Sequence, residues 1–358
     1  LALWSLMTAV CGLAQNAVHL FLARLGVGVG EAGGVAPAYS LISDYFPPER
    51  RARALAIYSF GIPIGSAVGI IFAGIITTIL DWRSAFVILG IAGIALAPLF
   101  RLTMREPKRG SQDGSGAQTA AASFSEVLAT LIRKKSFWFL STGAAFSSMM
   151  GYGLFAWMPA FLSRSYADAL PAFFSWAEGW LVPDGAGIVL YASYFYGAIV
   201  LVGGVLGIWL GGELGDRLGG KKRSAFATIP ATAFIAAVPF FVVGVLSNSL
   251  TLSFFVFMIP TALSLAWLGP VLSAFQHIVP PNMRATASAV FLLINNLIGI
   301  GVGDLAIGAM SDALSQAFGE ESLRYSILAG TSFYLIAAAL LFIASRYLEG
   351  DWETGDRA

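Results

Sequence analysis

The chain has 358 residues, 57% of them hydrophobic and only 11% charged, with a formal net charge of +1 and a mean hydropathy of +0.77. Soluble domains carry about 25% charged residues, so this composition excludes a soluble fold and implies a membrane protein. The single cysteine, Cys11, excludes an intrachain disulfide and reads as a small apolar packing residue.

A hydrocarbon core of about 30 Å takes roughly 20 apolar residues per helix. Apolar runs predict helices over 1–14, 17–46, 54–80, 84–102, 137–162, 188–210, 224–246, 249–275, 285–310 and 325–344. Because these runs are continuous and lack the period-two alternation of barrel strands, the expected fold is an all-α membrane protein with ten transmembrane helices.

The second run contains LARLGVGVGEAGG, Leu22 to Gly34, with a cation at Arg24 and an anion at Glu31. Seven residues turn a helix by about 700° and advance it roughly 10 Å, so the two ions share a face without pairing tightly. Each costs about 2.5–3.5 kcal/mol at such depth, and a residue of this kind normally faces a cavity. Gly26, Gly30 and Gly34 form a stripe at four-residue spacing that suits close helix packing.

Farther along, EPKRGSQDGSGAQTAAAS (Glu106 to Ser123) reads as a flexible linker, and Ser123 with Glu126 as a capping box for a short amphipathic helix. Tyr152, Trp157, Tyr191 and Tyr194 either form an aromatic wall for an amphiphile or anchor the chain at the interface. The external loop from Arg164 to Gly185 either lies on the membrane surface or covers an exit. Asn295 and Asn296 lie in mid-helix, where an unsatisfied amide is costly, so one of them is expected to line the cavity or to bond across helices. Asp304 is unusual in the outer part of its helix and is expected to meet water.

Basic residues fix the orientation. All but four of the 21 Lys and Arg (Arg24, Arg83, Arg164 and Arg324) fall in alternate loops and the C-terminal tail. The positive-inside rule makes those segments, including the C-terminus, cytoplasmic. An internal repeat relates PAYSLISDYFPPERRARALA (Pro37 to Ala56) to PVLSAFQHIVPPNMRATASA (Pro270 to Ala289) at a constant offset, with Pro47/Pro280, Pro48/Pro281, Arg51/Arg284 and Ala52/Ala285 among the matches. Both copies run in the same direction, as in transporter halves related by an axis along the membrane normal. The first half shows four helices and the second six, so two helices, roughly 70 to 100 residues with connections and leader, are expected upstream. The expected organisation is an N-terminal bundle (1–105), a cytoplasmic linker with a short amphipathic helix (106–135), a C-terminal six-helix bundle (136–348) and a cytoplasmic tail (349–358).

The turn GGELGDRLGGKKR, Gly211 to Arg223, places charges where helix termini lie. It resembles the signature loop of the major facilitator superfamily at Gly212, Leu214, Asp216, Arg217, Gly219, Lys221 and Lys222, with Gly220 where a basic residue is common. The stretch RLGVGVGEAGGVAPAYSLISDYFPPERRARALAIYSFGIPIGSAVG, followed by DWRSAFVILG, is similar to the spinster-like branch of that superfamily. The resemblance implies two parallel-repeat bundles with ten of twelve helices present, and a gate at Asp216 and Arg217 with Asp44 and Arg51 in the first-half copy. It also implies sphingoid or lysophospholipid-like solutes, as associated with animal members, and a bacterial inner-membrane location.

The expected function is proton-coupled secondary transport by alternating access of an amphiphilic, lipid-like or organic anionic solute. Glu31 is read as the proton-coupling carboxylate, the alternative being a structural ion pair. Arg24, Asn295, Asn296, Tyr152, Trp157 and Tyr194 are candidates for substrate binding or ion pairing. A drug or small organic-acid carrier and a channel are the competing classes. Neither His19 nor His277 sits in a metal or nucleophile constellation and no nucleotide loop is present. No enzyme activity, cofactor, metal or nucleic-acid partner is therefore expected; the partners are solute, protons and bilayer, and the chain is expected to act as a monomer.

Overall fold

The computed structural model describes residues 1–35, 38, 41–42, 45–46, 57–104, 122–179, 181–183, 185–219 and 221–353. A chain this apolar must satisfy its backbone internally, and among the described residues it does so with helices; an isolated bridge joins Glu178 to Val182. Two compact units are formed, Leu1–Gly61 with Val68–Gln118, and Ile62–Ala67 with Thr119–Ala358. Six described stretches are long and apolar enough to cross a membrane, the longest being Ile188–Gly219 and Arg284–Asp351.

The first unit is built on α1 (Ala2–Gly12), α2 (Ala17–Glu31) and α4 (Trp82–Thr103), with α3 (Gly61–Ile79) preceding α4 in the chain. Two caps fix helix starts: the Asn16 side chain accepts from the His19 amide at 2.9 Å, and the Asp81 carboxylate accepts from the Ser84 amide at 2.7 Å. Hydrogen bonds from Ser84 hold the Asp81 carboxyl below the usual carboxylate range. Helix α1 packs against both α2 and α4. The glycine stripe makes the first contact possible, because a Cβ at Gly30 would lie 2.7 Å from the Trp4 amide nitrogen. Gly90 does the same for α4, where a Cβ would meet the Ala9 nitrogen at 2.5 Å.

The run expected to be helical over 17–46 is interrupted. Helix α2 ends at Glu31, the backbone turns at 32–34, and helical residues resume at Val35. The Gly34 amide donates to the Glu31 carbonyl at 2.8 Å, an i+3 bond that tightens the last turn. Gly33 and Gly34 favour this end because glycine weakens a continuing helix.

The second unit runs α5 (Phe124–Arg133), α6 (Lys135–Ser165), α7 (Ala169–Phe173), α8 (Ile188–Gly219), α9 (Ala225–Leu246), α10 (Leu250–Leu265), α11 (Leu268–Ile278), α12 (Arg284–Phe318), α13 (Ser322–Gly330) and α14 (Ser332–Asp351). The capping box forms, with the Ser123 hydroxyl accepting from the Glu126 amide and the Glu126 carboxylate from the Ser123 amide. Helix α6 packs on α12 and α14, and α9 on α10 and α14. The core is aromatic, with Tyr334 stacked between Phe234 and Phe241 at 5.3 and 5.8 Å.

Two expected single spans are each split in two. The run 249–275 breaks at Ala266 and Trp267. Pro270, in the first turn of α11, lacks the N–H that a continuous helix would use. The run 325–344 lies in α13 and α14, which meet at Thr331; its hydroxyl donates to the Leu328 carbonyl at 2.6 Å, competing with the backbone ladder.

Gly203, Gly207, Gly211 and Gly215 bring α8 onto α10 and α11, and a Cβ at Gly207 or Gly211 would overlap the carbonyls of Ala262 or Ala266. Backbone cannot retreat as a side-chain tip can, and overpacking typically costs about 1–3 kcal/mol. Gly207→Ala is therefore expected to lower the thermal unfolding midpoint of the detergent-purified protein. Gly301→Ala, on an open face of α12 with nothing within 4 Å, is expected to leave it unchanged or raise it.

Candidate functional site

Helix α2 buries one side only. Ala23 and Val27 join Cys11 in a small core, with Trp4, Met7, Val10, Leu20 and Phe86 packed around it. Arg24 and Glu31 are exposed, on the uncovered side of the helix together with Leu22, Leu25 and Val29. Among the described residues neither side chain takes part in a hydrogen bond or an ion pair, in keeping with the two-turn spacing that prevents tight pairing. Glu31 stands at the end of α2, beside the turn at 32–34.

The offset of the internal repeat matches Ser264 to Glu31 and Phe257 to Arg24. In the second unit these two residues line a cavity of about 40 Å³ together with Tyr196, Thr261 and Tyr334. That volume suits one or two waters rather than a solute. Tyr334 is 0% exposed and its hydroxyl, beside Ser264, lacks a hydrogen bond of regular geometry. The Ser264 hydroxyl itself donates to the Thr261 carbonyl at 2.8 Å. Sequence reading passed over Tyr334; the signal available was the repeat offset, which had already marked Ser264.

The other candidates are dispersed. Asn295 is 5% exposed and accepts from the Ser148 hydroxyl at 2.9 Å, joining α12 to α6; Asn296 is exposed. The Trp157 indole donates to the Asp304 carbonyl at 2.9 Å. Tyr152 is 36% exposed on α6. The Tyr194 hydroxyl donates to the Leu181 carbonyl at 2.8 Å, and Phe174 packs against both Tyr191 and Tyr194. These two tyrosines thus tie the loop between α6 and α8 onto its own unit.

At the opposite end of α8, Asp216 is exposed and Arg217 pairs with Glu213 one turn back. With the Arg217 side chain 73% exposed, such a pair contributes about 0.3–0.5 kcal/mol. Asp44 and Arg51, the first-half members of the expected gate, lie outside the described residues.

A profile described as Major Facilitator Superfamily matches residues 1–304. The chain is 31% identical over 346 residues to an MFS-type efflux pump of Mycolicibacterium smegmatis, covering 96% of this chain and 75% of that protein. It is 29% identical over 344 residues to protein spinster homolog 3 of Danio rerio, covering 93% and 67%. The crystal structure of a bacterial homolog to the human lysosomal transporter spinster, inward-facing and unoccupied, is similar with a TM-score of 0.78 and 31% identity, covering 99% of this chain and 83% of that one.

The two buried hydroxyl contacts predict opposite stability effects. Ser148→Ala strands the Asn295 amide oxygen and is expected to cost about 1–3 kcal/mol. Tyr334→Phe removes a buried hydroxyl that lacks a proper partner and is expected to raise the unfolding midpoint. Thermal unfolding of the two variants in one detergent checks both signs.

Proposed function

The chain belongs to the Major Facilitator Superfamily, in its spinster-like branch, and we propose that it is a proton-coupled secondary transporter of an amphiphilic, lipid-like or organic anionic solute. The observation that carries this reading is the pair Arg24 and Glu31, two full charges on the uncovered side of an apolar helix whose other side packs Ala23 and Val27. Ions in such a segment are tolerated where they face a hydrated pathway.

In this reading Glu31 takes up a proton when the pathway is open to the more acidic side and releases it on the other. Arg24 supplies a fixed cation for the anionic group of the solute, and apolar surroundings suit its hydrocarbon part. The two-half repeat fits alternating access, in which one bundle rocks against the other. Basic-residue distribution supports a cytoplasmic C-terminus in an inner membrane. A second reading, export of a drug-like solute, is favoured by the name of the mycobacterial relative, an efflux pump.

Glu31→Gln is expected to abolish pH-gradient-driven transport in proteoliposomes while the protein stays folded, as judged by size-exclusion profile and unfolding midpoint. Undiminished coupling would reject the role of Glu31. Asp216→Arg is expected to shift the balance between inward-open and outward-open forms, read as changed thiol labelling from the two sides of the membrane; unaltered labelling would remove Asp216 from the gate.

A further inference from the structure

The turn between α8 and α9 brings Lys221, Lys222 and Arg223 beside the last residues of α14. With Gly219, Glu349 and Trp352 they line a cleft of about 430 Å³. Its wall is built rather than frayed. Trp352 stacks on the His277 ring at 4.7 Å and on Phe226 at 5.5 Å, and the Arg223 guanidinium lies 5.3 Å from the indole centre. Burial, reinforced by Arg284 and Arg223, pushes the His277 pKa down.

The neighbouring acids are engaged elsewhere. Lys134 Nζ donates to the Asp351 carbonyl and to the Glu353 carboxylate, both at 2.7 Å, and the Ser136 amide donates to the Asp351 carboxylate at 2.8 Å. The Glu353 amide in turn donates to the His277 carbonyl at 2.9 Å. Among the described residues that line the cleft, three cations therefore accompany one carboxylate, Glu349. Leading up to it along one face of α8 are Leu210, Leu214 and Leu218, 41%, 41% and 43% exposed, at the four-residue spacing that puts side chains in one row.

We propose that this cleft binds the phosphate of an anionic phospholipid, with the acyl chains lying along the leucine row. Lys and Arg at a membrane boundary attract anionic headgroups, Arg223 held against Trp352 offers planar donors suited to phosphate oxygens, and the apolar row favours a lipid over free phosphate. The proposal rests on the second unit alone and is independent of which solute the protein carries.

The test titrates phosphatidylglycerol, phosphatidylcholine and inorganic phosphate into the full-length protein in mild detergent, reading thermal shift and the lipid retained in native mass spectra. Phosphatidylglycerol is expected to bind and stabilise in preference to phosphatidylcholine. K221Q/K222Q is expected to weaken it about fivefold per lysine removed, and Glu349→Gln to strengthen it. Inorganic phosphate giving the full shift would retain the anion cleft but overturn the lipid. Equal phosphatidylglycerol affinity in wild type and K221Q/K222Q, or weaker binding in Glu349→Gln, would overturn the proposal, and the glutamine variant keeps the test informative if the lysine variant does not fold.

Discussion

A full charge withdrawn from water into hydrocarbon is destabilising by several kcal/mol unless it is hydrated or paired. This chain, with 11% charged residues, commits two of its few ions to α2. Their setting follows from how α2 packs. Its small and branched residues, Ala23, Val27 and the glycine stripe, meet α1, so Arg24 and Glu31 are left outside the contact. The packing that stabilises the first unit is thus what keeps its ions available.

Close backbone contact is the shared device of both units. In the first, Gly30 and Gly90 admit α1 on two sides. In the second, a glycine row on α8 admits α10 and α11. Without a hydrophobic drive between helices in lipid, such fits supply the dispersion energy that holds helices together. Polar chemistry is distributed differently: the positions matching Arg24 and Glu31 are Phe257 and Ser264, beside a water-sized cavity and a buried tyrosine hydroxyl. Ionic work in the proposed cycle accordingly falls to the first unit, with shape and hydrogen bonding left to the second.

Much of the fold was legible because apolar run length and the bilayer's thickness constrain each other. Helices α4, α6, α8 and α9 begin and end near the expected positions at most ends, and the Ser123 capping box was readable from two residues. What hydropathy cannot report is a break inside an apolar run. The turn after Glu31, the division at Ala266 and Trp267, and the junction at Thr331 depend on glycine, proline and hydroxyl effects that leave mean hydropathy untouched. The proposed site is drawn from Arg24 and Glu31, where charge contradicts context. Asn295 makes the cross-helix bond expected of one of the two asparagines, but its partner Ser148, like Leu181 for Tyr194, is a tertiary neighbour that no local spacing announces, and Tyr334 is one aromatic residue among many.

The central claim is that Glu31 borders a hydrated path that opens in turn to each side of the membrane. Replacing Cys11 by Ser and Glu31 by Cys, in a 358-residue sequence that otherwise has no cysteine, allows this to be measured with a membrane-impermeant thiol reagent applied separately to the two faces of reconstituted vesicles. The account predicts labelling from both faces, with the ratio moving when solute or a pH gradient biases the cycle. A thiol at position 31 that stays unreactive from both faces, in protein shown to be folded, would contradict it.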